Sequence, residues 1–301
     1  MADKVLPAVA KNYVILRGLP WPPMVTEEAL DAIKKLPIRD DDILVATFPK
    51  AGTNWLSEIC RLVVTDGDMD LACKIHLCHP LEFVHYQGAQ AEPSADDRPL
   101  YRRVSDWPSP RVLHTHVPIQ HLPEEVLTQG KGRVITSVRN PKDSAVSEFH
   151  FLNKVRPGAP LSFADSLEEN FFTGKGPYGS WFDHVLGYWD RRHEKNQLVL
   201  KYEDMKMNTR RAIVQIAGFL GRSLSDDVID KILALVTVDS MRARFYSSGE
   251  EVGNKKAGPL HLLRKGVVGD WKTVFTVAQN ETLDKLYRDK MSGSGLTFDF
   301  E

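Results

Sequence analysis

Short apolar runs alternate with longer amphipathic segments along this chain of 301 residues. The apolar runs are continuous and rich in Val and Ile, which is typical of strands buried on both faces of a parallel sheet. They comprise residues 43–47, 112–116, 133–138 and 197–202. The amphipathic segments have helical spacing and comprise residues 26–36, 53–64, a stretch from 140 onward, 178–193, 210–220, 225–236 and 277–288. This alternation predicts an α/β fold, with a central parallel sheet flanked by helices on both faces.

Irregular segments interrupt this pattern. Residues 1–17 are mixed in character, residues 19–23 are stiff and extended because of three prolines, and residues 40–42 form an acidic turn. Residues 87–106 are polar without a clear period and predict a long loop, and residues 242–265 predict a mobile loop rich in Gly, Lys and Arg. Because no repeat, low-complexity segment or linker divides the chain, we expect a single domain over residues 1–301.

Composition limits the possible partners and compartment. Hydrophobic residues make up 42% and charged residues 26%, as in ordinary globular proteins. The formal net charge of -1 provides no basic field for nucleic acid or an anionic membrane surface. No apolar run approaches the roughly 20 residues of a membrane span, and three cysteines do not suggest a disulfide framework. We therefore expect a cytoplasmic protein.

Residues 47–55, called the phosphate loop below, read Thr-Phe-Pro-Lys-Ala-Gly-Thr-Asn-Trp between a predicted strand and a predicted helix. A strand that turns tightly into a helix directs backbone N–H groups outward, and the helix dipole favours an anion there. Lys50 adds a full positive charge and Thr53 a hydroxyl, while Gly52 permits close approach of a ligand to the main chain. Trp55 offers a flat face for a base. The segment predicts a P-loop-like nucleotide-binding fold.

An ATP-dependent kinase is an alternative on a similar sheet. Its loop would have the form G-x-x-x-x-G-K-[ST], which is absent from this chain. Here the lysine precedes the glycine, and no Lys-Ser or Lys-Thr pair is placed to hold Mg²⁺. The kinase is therefore disfavoured.

Two further segments carry candidate anion ligands. Arg139 ends a predicted strand, and Ser147 lies about two turns into the helix that Asn140 and Pro141 open, so both side chains can face one anion. Residues 264–272 begin Arg-Lys-Gly and place two adjacent cations beside two glycines, which suits a phosphate-binding loop. Each segment alone could be an ordinary charged surface.

Together and in this order, the motifs resemble the cytosolic sulfotransferase family, which transfers a sulfuryl group from 3′-phosphoadenosine 5′-phosphosulfate (PAPS) to small acceptors. The resemblance covers nearly the whole chain. The matching strings are residues 47–55, His-Thr-His-Val-Pro at 114–118, Arg-Asn-Pro-Lys-Asp at 139–143 with Ser147, Gly-Pro-Tyr-Gly-Ser-Trp at 176–181, Tyr-Glu-Asp-Met at 202–205 and Arg-Lys-Gly at 264–266.

The resemblance implies a donor site for PAPS and its product PAP, with no metal. Lys50 would stabilise the leaving phosphate, residues 51–54 would surround the 5′-phosphate, and Trp55 and Tyr202 would flank the adenine. A second group of residues would bind the 3′-phosphate. The donor-site residues are Lys50, Ala51, Gly52, Thr53, Asn54, Trp55, Arg139, Ser147, Tyr202, Met241, Leu263, Arg264, Lys265 and Gly266.

His116 matches the position of the family's catalytic base. An acceptor hydroxyl is a weak nucleophile, and a neutral imidazole with a pKa near ~6.5 can take its proton at neutral pH. The resemblance also implicates Ser147, which would restrain Lys50 until the acceptor binds. The implied reaction is in-line sulfuryl transfer to a hydroxyl or amine. A protein of this fold that binds PAPS or PAP without efficient turnover is the other alternative.

The acceptor pocket is the least specified part of the site. By family position its walls include Trp21, Phe83, His114, Phe149 and Phe151, and aromatic walls suit a flat apolar alcohol or phenol. A phenol, a steroid, an amine and another alcohol remain open as acceptors.

Some positions depart from the family pattern. The family usually has Ser at Ala51, Thr at Asn54 and Lys at His114, and aromatic residues at Val238 and Leu262. We therefore expect one hydroxyl contact fewer in the phosphate loop, looser packing of the adenine, and turnover that is lower or more sensitive to pH.

Two other segments have competing interpretations. Residues 272–281 fit a short family string for homodimerisation through Lys272, Thr276, Val277 and Glu281, but they also suit the start of the last helix. We expect a homodimer. Residues 73–79 contain two cysteines and two histidines, but their spacing is too compressed for a typical zinc site.

Overall fold

The chain folds around a central sheet of four parallel strands in the computed structural model, which describes residues 13–75, 79–84, 98–155, 158, 160–247 and 263–301. A separate antiparallel hairpin precedes it. The strands are β1 (Val14–Leu16), β2 (Leu19–Trp21), β3 (Ile43–Ala46), β4 (Val112–Thr115), β5 (Arg133–Val138) and β6 (Gln197–Lys201). The order in the central sheet is β4-β3-β5-β6. The predicted α/β fold with a parallel sheet is confirmed.

Helices connect and cover the strands. In chain order they are α1 (Glu27–Lys34), α2 (Thr53–Val64), α3 (Met69–Lys74), α4 (Leu100–Arg103), α5 (Glu124–Gln129), α6 (Pro141–Val155), α7 (Phe163–Leu167), α8 (Trp181–Asp190), α9 (Tyr202–Met207), α10 (Thr209–Phe219), α11 (Asp226–Leu235), α12 (Val238–Ser247) and α13 (Val277–Met291). No helix in the described ranges is long and apolar enough to cross a membrane.

The strands β3 and β4 are buried on both faces along their whole length and β5 nearly so, whereas β6 at one edge of the sheet is only partly buried. In β3, Ile43 and Val45 pack with α2, α10 and α11, whereas Leu44 and Ala46 face a second core that contains α1. Burial of both faces explains why these strands are continuous apolar runs without polar alternation.

Four segments that carry predicted site residues lie at the carboxyl edge of this sheet. The phosphate loop follows β3, His116 follows β4, Arg139 follows β5 and Tyr202 follows β6. Since β3 lies between β4 and β5, the loops after these strands must be neighbours.

Several element boundaries differ from the sequence-based prediction. The loop expected over residues 87–106 contains α4 and a 3₁₀ turn at Val104–Asp106, because Leu100 and Tyr101 are apolar enough to be buried. The loop expected over 242–265 begins inside α12, where Arg242 bonds to the Arg264 carbonyl and Arg244 to the buried Glu58. Residues 85–97 and 248–262 lie outside the described ranges. Tyr202 starts a helix instead of ending a strand.

Candidate functional site

The phosphate loop is closed by its own hydrogen bonds. Thr47 Oγ1 lies 2.6 Å from Thr53 Oγ1, and Ser137 Oγ on β5 donates to the carbonyl of Ala51 at 2.8 Å. Lys50 and Gly52 have left-handed backbone conformations, with φ of 69° and 92°, which turn the strand into α2. The N-cap residue of α2 is Gly52, so no side chain caps the first N–H groups of this helix, and they can bind an anion.

Gly52 is required because of a close neighbour. A Cβ at this position would lie 2.9 Å from Cδ2 of Tyr202, which is shorter than a van der Waals contact. The rings of Tyr202 and Trp55 are 5.6 Å apart and edge to face, at 72°. The two predicted adenine-flanking residues are therefore brought together beside the phosphate loop.

Lys50 extends from the loop toward α6. Its Nζ lies 4.1 Å from the ring centroid of Phe151, a cation–π contact. Burial lowers the pKa of Lys50 to about 8; the carboxylate of Glu148 opposes this shift, and Arg139 is the first of the neighbouring cations that add to it. Lys50 is therefore mainly charged at pH 7 and poised to bind an anion.

His116 is anchored to the phosphate loop through one ring nitrogen. Its Nδ1 lies 2.8 Å from the carbonyl oxygen of Thr47. A carbonyl can only accept, so Nδ1 carries the proton and the neutral ring presents an unprotonated Nε2. Burial lowers the pKa of His116 below its usual 6.5, against the opposing effects of Glu82 and the bond to Thr47. The imidazole is thus able to accept a proton at neutral pH.

Glu82 was not among the predicted site residues. Its buried carboxylate accepts hydrogen bonds from Thr115 Oγ1 at 2.7 Å, from the backbone N–H of His116 at 3.0 Å and from the Tyr178 hydroxyl at 3.0 Å. The Tyr178 ring also packs edge to face against His116, with centroids 5.6 Å apart. The signal in the sequence was an acidic residue inside the apolar run Leu81-Glu82-Phe83.

His114 lies beside the base and is buried. Its ring centroid is 5.9 Å from that of His116. Burial, followed by the proximity of His116 and His79, holds the pKa of His114 well below 6.5. His114 is therefore a neutral side chain at physiological pH and supplies no positive charge to this part of the site.

Arg139 joins the phosphate loop to the segment near residue 267. Its guanidinium donates to the carbonyls of Lys50 at 3.2 Å and Val267 at 3.1 Å, and it lies 4.5 Å from the Tyr202 ring centroid. Ser147 lies one helical turn before Phe151 on α6, which places both on the side of the helix that faces Lys50. The structure thus brings the second predicted element next to the first.

Residues 263–266, called the anion loop below, carry the third element. Arg264 Nη1 and Lys265 Nζ both pair with the Asp270 carboxylate, at 2.6 and 2.7 Å. Gly266 has a φ of 66°, and a Cβ there would lie 2.7 Å from Cγ2 of Val238 on α12. The two cations are therefore held in place by one acidic residue that the sequence-based prediction did not single out.

Met241 and Leu263 were also predicted at the donor site. Met241 is buried within α12, and Leu263 is half-buried at the start of the anion loop. Arg242, next to Met241, donates to the carbonyls of Leu263 at 3.4 Å and Arg264 at 2.7 Å. These contacts place α12 against the anion loop.

The predicted acceptor residues have different neighbours in the structure. Trp21 is 0% exposed and its Nε1 donates to the carbonyl of Leu16; the Tyr178 ring contacts both Trp21 and His116. Phe83 is half-buried and packs against the same core as Trp21. Phe149 contacts Phe163, whereas Phe151 contacts Lys50. Of this set, His114 lies beside His116, and Phe151 contacts Lys50.

Residues 272–281 run from the end of a 3₁₀ turn at Asp270–Thr273 into the start of α13. Thr276 caps α13 in a capping box with Gln279, Lys272 pairs with Glu301, and Val277 is 75% exposed. Among the residues that the structure covers, no group of three or more His, Cys, Asp or Glu could hold a metal ion. The compressed segment 73–79 lies partly outside the described residues, at 76–78.

Comparison with known proteins gives consistent relationships. A family model described as the sulfotransferase domain matches residues 40–295. The chain is 36% identical to sulfotransferase 1A1 of Canis lupus familiaris over 275 residues, covering 90% of each chain, and 37% identical to sulfotransferase 1B1 of the same species, covering 88% of each. The crystal structure of mouse sulfotransferase SULT7A1 complexed with PAP superposes with a TM-score of 0.76 at 30% identity, covering 94% of this chain and 96% of that chain. The sheet, the loops at its carboxyl edge and these relatives together show that the chain belongs to the sulfotransferase family.

Proposed function

We propose that this sulfotransferase transfers the sulfuryl group of PAPS to a hydroxyl, or an amine, of a small aromatic or apolar acceptor. His116 would act as general base, and Lys50 would stabilise the leaving phosphate. The observation that carries this proposal is the bond from His116 Nδ1 to the Thr47 carbonyl, because it holds the base on the phosphate loop and leaves Nε2 available.

The proposed step is an in-line displacement at sulfur. The acceptor oxygen forms a bond to sulfur while its proton passes to Nε2 of His116. The bond from sulfur to the bridging phosphate oxygen breaks, and its electron pair stays on that oxygen. Lys50 would offset the charge that develops there, and stabilisation confined to the transition state raises the rate. A positioned base typically contributes about 10²–10⁴-fold.

The donor would lie across the carboxyl edge of the sheet. The phosphate loop would bind the 5′-phosphate, and Trp55 with Tyr202 would contact the adenine. Arg139, Ser147 and the anion loop would bind the 3′-phosphate. The support is the convergence of Arg139, Tyr202 and Val267, together with the presence of PAP in the mouse relative's structure.

The acceptor site would be bounded by His116, His114 and Phe151. His114 and the Phe151 ring provide a largely uncharged wall. A neutral, flat acceptor suits such a wall, because a cationic acceptor would be desolvated beside the Lys50 ammonium. Transfer of labelled sulfate from PAPS to a panel of phenols, steroids, other alcohols and amines would test both activity and preference. Failure of every acceptor class, with PAP still bound, would favour a binding protein without turnover.

Homodimerisation through residues 272–281, a cytoplasmic location and a single domain over residues 1–301 stay predictions. The exposed side chain of Val277 supports homodimerisation, since it leaves an apolar group of this segment on the protein surface. Light scattering after size-exclusion chromatography of the wild type and of Val277→Glu would test it, with a monomeric variant and a dimeric wild type expected.

A further inference from the structure

A buried acidic residue, Glu58, lies on α2 less than one turn after the phosphate loop. It is 2% exposed, and its carboxylate pairs with Arg61 Nη1 at 2.8 Å and with Arg244 Nη2 at 2.7 Å. A buried carboxylate is strongly destabilising unless cations and hydrogen bonds compensate it. The two arginines supply that compensation, and one of them belongs to a distant helix.

Arg244 thereby fastens α12 to α2. Its other terminal nitrogen, Nη1, donates to the carbonyl of Leu235 and to Ser240 Oγ, both at 2.8 Å. The Arg244 side chain thus links α12 to the end of α11 and to α2. Such a planar guanidinium bonded on several sides has little freedom to move.

The same helix contacts the anion loop. Arg242 Nη2 donates to the main-chain carbonyl of Arg264 at 2.7 Å, and Val238 lies so close to Gly266 that no Cβ fits there. These contacts involve the main chain of the loop. They therefore determine where the loop lies, while its two cationic side chains remain directed to Asp270.

We propose that Glu58 and Arg244 are positioning residues for the 3′-phosphate site: through α12 and Arg242 they set the distance between the phosphate loop and the anion loop. This inference rests on the proposed function, because it assumes that the anion loop binds the 3′-phosphate. It predicts that the Glu58–Arg244 contact matters for ligands that span both loops and not for ligands that reach only one.

The phosphate loop itself does not depend on Arg244. It is held by the contacts of Thr47 with Thr53, Ser137 with Ala51 and His116 with Thr47. Replacing Arg244 also leaves Glu58 paired with Arg61, so the buried carboxylate keeps one cation. Arg244→Met is therefore the informative substitution, since it releases α12 without leaving an unpaired buried charge.

The test compares PAP with AMP, which lacks the 3′-phosphate, by isothermal titration calorimetry. For Arg244→Met we expect the Kd for PAP to rise by about 3- to 30-fold, and the Kd for AMP to change by less than about twofold. Arg222→Met is the matched control, because Arg222 pairs with Asp66 at the surface, and it should change neither. Arg244→Lys, which keeps a cation for Glu58, should recover part of the PAP affinity.

Glu58→Gln gives a second, independent variant. It should weaken PAP selectively as well, and adding Arg244→Met should cost little more, because both changes break one contact. Equal weakening of PAP and AMP, or unchanged PAP affinity in Arg244→Met while the wild type binds PAP, would overturn the inference alone. A wild type that does not bind PAP would contradict the proposed function, and with it this inference.

Discussion

The phosphate loop and the anion loop are built in opposite ways. The phosphate loop is nine consecutive residues that follow β3 and include the start of α2, closed by contacts such as the one between Thr47 and Thr53. The anion loop is held by parts that are far apart in the chain. Arg242 bonds its main chain, Asp270 pairs with its cations, and Arg139 bonds to the adjoining Val267.

This difference has a physical consequence for ligand binding. A contiguous loop that turns a strand into a helix obtains its geometry from local backbone conformation, as at Gly52. A site assembled from separate elements obtains its geometry from the packing of those elements, and a change in any one of them can move it. We therefore expect changes in the phosphate loop to affect all adenine nucleotides, and changes around the anion loop to affect only those with a 3′-phosphate.

The largest effect is expected for His116→Ala, which tests whether the phosphate loop needs its attached base. Sulfuryl transfer should fall by about 10²–10⁴-fold because the acceptor proton has no positioned acceptor. The Kd for PAP should stay close to the wild-type value, since Thr47 keeps its contact with Thr53. Labelled-PAPS assays and calorimetry measure the two quantities. Transfer that survives the substitution would assign the base to another group.

Gly52→Ala tests the local geometry of the phosphate loop. The new Cβ would meet Tyr202 in a left-handed backbone position, which costs about 1–3 kcal/mol of strain. PAP and AMP should both bind about 10- to 100-fold more weakly. Gly218→Ala on α10 is a matched control, because nothing lies within 4 Å of its Cβ position. Loss of PAP affinity alone would contradict the division between the two loops.

Lys265→Ala tests the anion loop directly. The Lys265 side chain is exposed and pairs with Asp270. In the variant, Asp270 still pairs with Arg264. We expect PAP to bind about tenfold more weakly, the usual effect of one charge-assisted hydrogen bond, and AMP to bind as before. The ratio of the two dissociation constants is the readout, and an unchanged ratio would remove Lys265 from the 3′-phosphate site.

The smallest effect is expected when the pH is changed near neutrality in the wild-type protein. Lys50 has a pKa lowered to about 8, so its charge and the transfer rate should fall as the pH rises through that value, by up to about tenfold at pH 9. The pKa of His116 is below 6.5, so the base should be lost only at more acidic pH. Profiles of kcat/KM should therefore be level between these two limits. A rate that stays constant up to pH 9 would contradict the assignment to Lys50.

Much of the fold could be predicted because its signals are local. The bounds of α2 and β5 match the expected ranges 53–64 and 133–138, and Ser225 caps α11 where the pattern placed its start. The loop expected at 242–265 was partly wrong, since α12 is hydrophilic in composition and its helix is stabilised by the contacts of Arg242 and Arg244. No local pattern reveals such contacts.

The candidate site likewise contains residues that the sequence predicted and residues that only the structure revealed. His116, Lys50 and Arg139 were predicted residues, and the structure adds the bond of His116 to Thr47 and that of Arg139 to the Lys50 carbonyl. Glu82, Asp270 and Glu58 were not predicted, because a buried acidic residue is recognisable only once its partners are known. Phe149 contacts Phe163 and lies on a different side of α6 from Phe151, and its place in the acceptor wall stays a prediction.

The amino-acid sequence by itself determined the alternation of strands and helices, the phosphate loop and the chemical identity of the proposed base and cations. These depend on interactions between residues close in the chain. Only the tertiary structure decided which nitrogen of His116 is available, how Asp270 holds Arg264 and Lys265, and how α12 links Glu58 to the anion loop. Those features depend on distances between residues up to 186 positions apart, which are set by packing around the sheet.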